Sequence, residues 1–329
     1  MGRYYPYLPI VIGSGKGPYM RIPVTVSLTV CLAVAALAHP HGAAQTAAPA
    51  VSGATRTVYV TAVDRKGVPV DGLTASDFTI KEDGKLRTVV AAQRSTAPMT
   101  VALMIDDSGL GLQSIREGAG AFVTRLRGLA TIALITTAGR NIRTVDYTDN
   151  TAALIAGLNR TYGRNQTGAF LTDGILEVAT EFRAKEVARP VIVSVGVEGV
   201  DFSQVGPSEL LGALQRSRTQ LYMIRLGRIV IGESNPAGAQ RGESLADEQV
   251  RFNSILGQAP SRTGGRIEQL SAHTGIPRAM EAVAVELAGQ YELTYGPADP
   301  AAIDARLEIS SLRRDVRVRV TARVGPPRK

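Results

Sequence analysis

The sequence contains no tryptophan, one cysteine and three histidines in 329 residues, and aromatic side chains make up only 5% of it. Each scarcity excludes some chemistry. One cysteine, Cys31, forms no internal disulfide, and a chain processed beyond it would carry neither a thiol nucleophile nor a thiolate metal site. His39 and His41 lie close to the start, which leaves His273 as the sole histidine of the globular part. Zinc centres and Ser-His-Asp triads therefore lack parts. No apolar run reaches the roughly 20 residues that span a bilayer as a helix. Charge is not concentrated either. The formal net charge is +8, and Arg3, Lys16 and Arg21 supply three positive charges within an acid-free stretch of 44 residues. The remaining excess is mild and spread out, which does not suit nucleic acid.

What is present begins with an export pattern. Met20-Arg21 forms a short positive region, Val24 to Ala38 an apolar core, and small residues follow. Residues 1–44 read as leader and secretory signal peptide, with Met20 as the true start and cleavage after Ala38 or Ala44. The expected address is secreted or periplasmic, with no transmembrane anchor after cleavage. Gly13-Ser-Gly-Lys16-Gly17 imitates a phosphate loop but lacks its spacing and the hydroxyl after Lys. Val30 before Cys31 fits a lipoprotein cleavage box poorly.

Residues 45–97 read as a small β module. Thr57 to Val63 alternates, Thr74-x-x-Asp77 has the form of a capping box, and Glu82-Asp83-Gly84-Lys85 is a hairpin turn. From residue 98 to 290 strand and helix patterns alternate, as in an α/β domain. Helix is expected over Leu112–Leu126, Ala169–Phe182, Ser208–Arg216 and Pro277–Ala288, and a short helix follows Asn150 as N-cap. Residues 229–262, rich in Gly, Pro, Ser and Gln, read as a long flexible insertion. Residues 291–329 return to alternation in Tyr291–Tyr295, Leu307–Ile309 and Val316–Val320, and are expected to complete the β module.

The most telling segment is Val101-Ala-Leu-Met-Ile-Asp106-Asp107-Ser108-Gly109. An apolar strand ends in two carboxylates and a hydroxyl, where an α/β sheet carries its binding loops. Hard oxygen ligands two residues apart share a face of an extended chain and can point at one cation. The segment looks like the start of the metal-ion-dependent adhesion site of a von Willebrand factor type A domain, Asp-x-Ser-x-Ser, with Leu110 at the last position. Further signs are Gly72-Leu-Thr-x-x-Asp77-Phe78, Glu82-Asp-Gly84, the turn Thr263-Gly-Gly265, and Glu286-Leu-Ala-x-Gln290-Tyr291. Together they resemble a family of bacterial secreted von Willebrand factor A-related proteins over nearly all of the chain past the signal.

The resemblance implies a Rossmann-like three-layer α/β sandwich with a mostly parallel central sheet, plus the β module from the two flanks. It also implies a site where five side chains from three loops hold Mg²⁺ and a partner's carboxylate completes the sphere. Carried over by position, Asp106 and Ser108 match the first loop. The second maps onto Thr167-Gly168-Ala169-Phe-Leu171-Thr-Asp173, with Ala169 where a threonine is expected. In the third, Val195-Gly196 stands for an Asp-Gly pair, and Glu198 follows. The candidate metal residues are thus Asp106, Ser108, Thr167 and Glu198. Too few charged oxygens remain for tight binding, so the expectation is no tightly held cofactor. Without metal, Asp106 and Ser108 would cap the next helix and satisfy loop amides.

Asp107, Gly109, Leu110 and Gly168 are the expected partner-facing loop residues. The leading function is an exported, non-enzymatic protein–protein interaction or adhesion protein. Its alternatives are Mg²⁺-dependent adhesion through a rebuilt site, and an exported hydrolase using Asp107, Asp173 or Glu177. Gly109-Leu-Gly111 imitates a dinucleotide loop, but no acid ends the next strand to hold a ribose. His273 reads as a turn residue at a helix end. Arg313-Arg314-x-x-Arg317-x-Arg319 reads as an edge-protecting or acid-binding strip.

Overall fold

A computed structural model describes residues 54–109, 111–164, 169–197, 201–227, 256–296 and 305–320. Two six-stranded sheets are built from strands β1 (Arg56–Val63), β2 (Phe78–Glu82), β3 (Lys85–Arg94), β4 (Met99–Ile105), β5 (Ala130–Thr136), β6 (Ile142–Thr148), β7 (Pro190–Val197), β8 (Gln220–Leu226), β9 (Ile267–Leu270), β10 (Tyr291–Gly296), β11 (Leu307–Ser311) and β12 (Arg317–Val320). The helices longer than two turns are α1 (Leu112–Arg125), α2 (Thr151–Asn159), α3 (Leu171–Ala184), α4 (Pro207–Arg216) and α5 (Ile276–Ala288). The expected α/β class holds.

The central sheet has the order β6-β5-β4-β7-β8-β9. Its strands pair in parallel except for edge strand β6, which runs antiparallel to β5. Strands β4, β7 and β8 are buried on both faces, which is why they read as continuous apolar runs. Val101, Leu103 and Ile105 face α1 and α5, while Ala102 and Met104 face α3 and α4. Helices therefore cover both faces, each by an apolar stripe of helical period. Asn150 caps α2 as expected, its side chain accepting from the Ala153 amide at 3.1 Å.

Two features depart from the pattern reading. Helix α3 starts at Leu171 because Ala169 is held in β-bridges to Ala138 and Asp201. The expected flexible stretch 229–262 also ends in packed structure. Leu256 and Ala259 are buried beside α3 and α4, and Thr263 turns the chain by donating its hydroxyl to the Ala259 carbonyl. Residues 229–255 of that stretch, like the leader and signal region 1–44, lie outside the described residues.

The second sheet, ordered β11-β2-β3-β10-β1-β12, is antiparallel throughout. It joins strands from both ends of the sequence. The hairpin at Asp83-Gly84 has positive φ at both residues, 49° and 77°, as a two-residue turn between twisted strands requires. The capping box at Thr74 and Asp77 is also present. Inside the sheet Glu82 is buried against Arg56 and Arg87, and Tyr295 donates its hydroxyl to the same carboxylate at 3.1 Å.

A buried polar network joins the two sheets. The Arg189 guanidinium donates to the carbonyls of Ala97 and Leu287 and to the Gln290 side-chain oxygen, at 2.8, 2.9 and 2.8 Å. Gln290 in turn donates to Thr61 in β1 and to Gln220 in β8. Burial pushes the Arg189 pKa down to about 10, because the lost hydration outweighs the opposing pull of Tyr59, Tyr222 and Glu292. Replacing Arg189 by Met should strand the buried acceptors of Leu287 and Gln290. We expect a loss of about 3 kcal/mol, read as a lower urea midpoint at unchanged slope.

Candidate functional site

Loops following β4, β5 and β7 meet at the carboxyl edge of the central sheet, where α/β folds place their binding loops. The Asp106 amide donates to the Val195 carbonyl at 2.9 Å, so sheet geometry continues one residue past β4. Its two carboxylate oxygens then accept separate backbone amides, Ser108 at 2.9 Å and Val197 at 3.1 Å. Gly196 packs against this carboxylate so closely that a Cβ there would lie 2.7 Å from the Asp106 Cβ. Of the expected roles without metal, satisfying loop amides is observed. Capping is not, because Gly111 is the N-cap of α1 and no side chain caps it.

Asp107 was expected on the partner-facing lip. It turns inward and is only 2% exposed, because successive side chains of an extended segment point to opposite faces. Its carboxylate accepts the Ala138 amide at 3.0 Å and pairs with Arg164, whose Nε lies 2.5 Å away. The Arg164 guanidinium also donates to the Thr136 hydroxyl at 3.1 Å. Gly163 beside it approaches Gly109 so closely that a Cβ would sit 3.2 Å from the Gly109 Cα. Gly109 itself is exposed.

A third acid was not singled out by sequence. One Asp201 oxygen accepts both the amide and the hydroxyl of Thr172, and the other accepts the Ser203 amide at 3.0 Å. It caps α3 from across the tip, since the local N-cap, Phe170, has no side-chain acceptor. Asp173 returns the tie by accepting the amides of Gln204 and Val205. Glu177, one turn along, is exposed on α3. The sequence signal for Asp201 was available. Asp201-Phe202-Ser203 repeats the Asp-x-Ser spacing of Asp106-Asp107-Ser108, and in both the Asp oxygen takes the amide two residues on.

The stitched loops present aromatic side chains. Phe202 is 48% exposed with its ring 6.0 Å from that of Phe170, and Tyr162 is 70% exposed beside Gly163. At the rim, Ser114 hydrogen-bonds His273 Nδ1 at 3.1 Å, and His273 occupies a turn ahead of α5, as expected. Two arginines of the basic strip are paired. Arg313 bonds Asp315, and Arg319 reaches the buried Glu286.

Leu110, Thr167, Gly168 and Glu198 lie outside the described residues. Among the described residues no three His, Cys, Asp or Glu side chains come together as a metal site. Asp106 and Ser108 are neighbours, but the nearby acids Asp107 and Asp201 are engaged elsewhere. Of the four candidate ligands, Asp106 and Ser108 are thus the two among the described residues, where a divalent ion takes about six oxygens in all.

No protein-family model and no curated protein matches the sequence. Solved structures of similar backbone include von Willebrand factor type A from Catenulispora acidiphila, at 9% identity over 84% of this chain and 74% of that chain, with TM-score 0.41. The conserved hypothetical protein BatB from Bacteroides thetaiotaomicron shares 15% identity over 58% of this chain and 97% of its own, with TM-score 0.41. Proximal thread matrix protein 1 from the mussel byssus shares 15% identity over 60% of this chain, with TM-score 0.45, and the chain spans 48% of its length.

The Asp201 contacts lead to a test. Asp201→Ala should remove the cross-tip cap and lower stability by about 2 kcal/mol, measured by thermal or urea unfolding. Unchanged stability would refute the capping role.

Proposed function

We propose that this chain is an exported, non-enzymatic interaction protein of the von Willebrand factor A-related kind. It docks a protein partner at its loop tip, in the secreted or periplasmic space, and holds no cation tightly. The observation that carries this reading is the exposure of Tyr162 and Phe202 on loops fixed by hydrogen bonds at their bases. Large aromatic side chains held rigidly at a surface supply contact area at low entropic cost and are enriched among binding hot spots.

The non-enzymatic part is supported by how the acids are used. Asp106, Asp107, Asp173 and Asp201 each accept backbone amides, so each is occupied in holding a loop. Export is supported by the pattern of residues 20–44. Among the described residues no helix is long and apolar enough to cross a membrane.

The test compares the immobilised wild-type chain with Phe202→Asp and Tyr162→Asp in an envelope extract of the source cells, read by quantitative mass spectrometry. A discrete retained protein should fall at least about tenfold with either variant, at unchanged thermal midpoint. Retention indifferent to both substitutions would remove the tip as the docking surface.

A further inference from the structure

We infer that the guanidinium of Arg164 does in this tip what a bound cation would otherwise do: it neutralises the buried acid and locks three loops into one surface, so that docking needs no metal. This rests on the docking reading above and adds how that surface is kept assembled.

The geometry is that of a cross-link. Arg164 follows α2, yet its Nε and Nη2 grip both oxygens of Asp107, at 2.5 and 3.0 Å, at the end of β4. Nη2 also reaches the Thr136 hydroxyl on β5 at 3.1 Å and the Arg140 carbonyl beyond it at 3.4 Å. The backbone reinforces the same joint, with the Arg164 amide donating to the Asp107 carbonyl at 2.7 Å. A single planar cation thus binds the segments 106–109, 136–140 and 161–164. Its fork shape matches a carboxylate on two atoms, which an ammonium would not.

Charge and space disfavour a divalent ion beside it. The buried acid is already matched by one positive charge, with the Asp107 side chain 3% exposed and that of Arg164 28% exposed. A second cation would meet repulsion from the first. Asp106 offers a carboxylate whose oxygens each already hold an amide, crowded by Gly196. Asp201 holds Thr172 and Ser203. What sets the tip's order is therefore a residue of the chain, present at all times, rather than a ligand whose concentration varies.

The test follows hydrogen exchange of the full chain at the Ala138 amide and in peptides covering 106–109 and 136–141. Wild-type exchange should be the same in EDTA and in Mg²⁺ or Mn²⁺ at about 10 mM, far above what a real site would need. Arg164→Gln should speed exchange there at least about tenfold, and Arg164→Lys by less, since charge returns without the fork. Loosening of the wild-type tip by EDTA, protection by either metal, or wild-type exchange in Arg164→Gln would overturn the inference. The wild-type arms decide it even if the variants fold poorly. Exchange as expected together with full partner retention by Phe202→Asp would leave the lock standing and refute the docking surface. The reverse pair of outcomes would do the opposite.

Discussion

The requirement that buried polar groups be satisfied governs how this molecule is joined together. Two chain crossings, from β3 to β4 and from α5 to β10, pass between an antiparallel and a mainly parallel sheet. The crossings bring backbone carbonyls to a partly or fully buried joint, where an unpaired acceptor is costly. Arg189 answers both at once, binding Ala97 on one crossing and Leu287 on the other. Gln290 extends the network to Thr61 and Gln220, one residue from each sheet. Strand β4 runs from this joint to Ile105, one residue before Asp106, so joint and tip lie about one strand length apart.

At the tip the same economy appears with carboxylates. Strand ends and helix starts expose amides, and four aspartates accept them: Asp106, Asp107, Asp173 and Asp201. An acid used in this way is a structural element. It orders the loop that carries it. The aromatic side chains of Phe170, Phe202 and Tyr162 stand on this scaffold. In the docking reading, order bought below by hydrogen bonds is what lets the rings meet a partner without a large entropic cost.

The elements themselves were legible because their signals are local. Burial on both faces made β4, β7 and β8 apolar runs, the Asp83-Gly84 turn needed positive φ, and Asn150 announced α2. The start of α3 was misplaced by two residues because a bridge from Ala169 to Asp201, distant in sequence, overrides helix propensity there. The strand end at Asp106 was found from its motif, but the inward turn of Asp107 was not used, although alternation along an extended chain already implied it. Asp201 was missed despite repeating the Asp-x-Ser spacing, since a short spacing does not reveal which amides a carboxylate will meet.

Periodicity, turn chemistry and caps act between residues a few positions apart, so the sequence by itself determined the α/β class, the main strands and helices, and the acidic lip at Asp106. The partners of long charged side chains are chosen across the fold. Arg164 finds Asp107 at a separation of 57 residues, Arg319 finds Glu286, and Arg189 finds Gln290 at 101. Only the tertiary structure decided which groups that inward acid binds, that Arg313 and Arg319 of the basic strip are paired, and that Tyr162 and Phe202 stand exposed at the tip. The physical reason is that a charge leaves water only where a counter-charge or donor awaits it, and that meeting place exists only once the chain has folded.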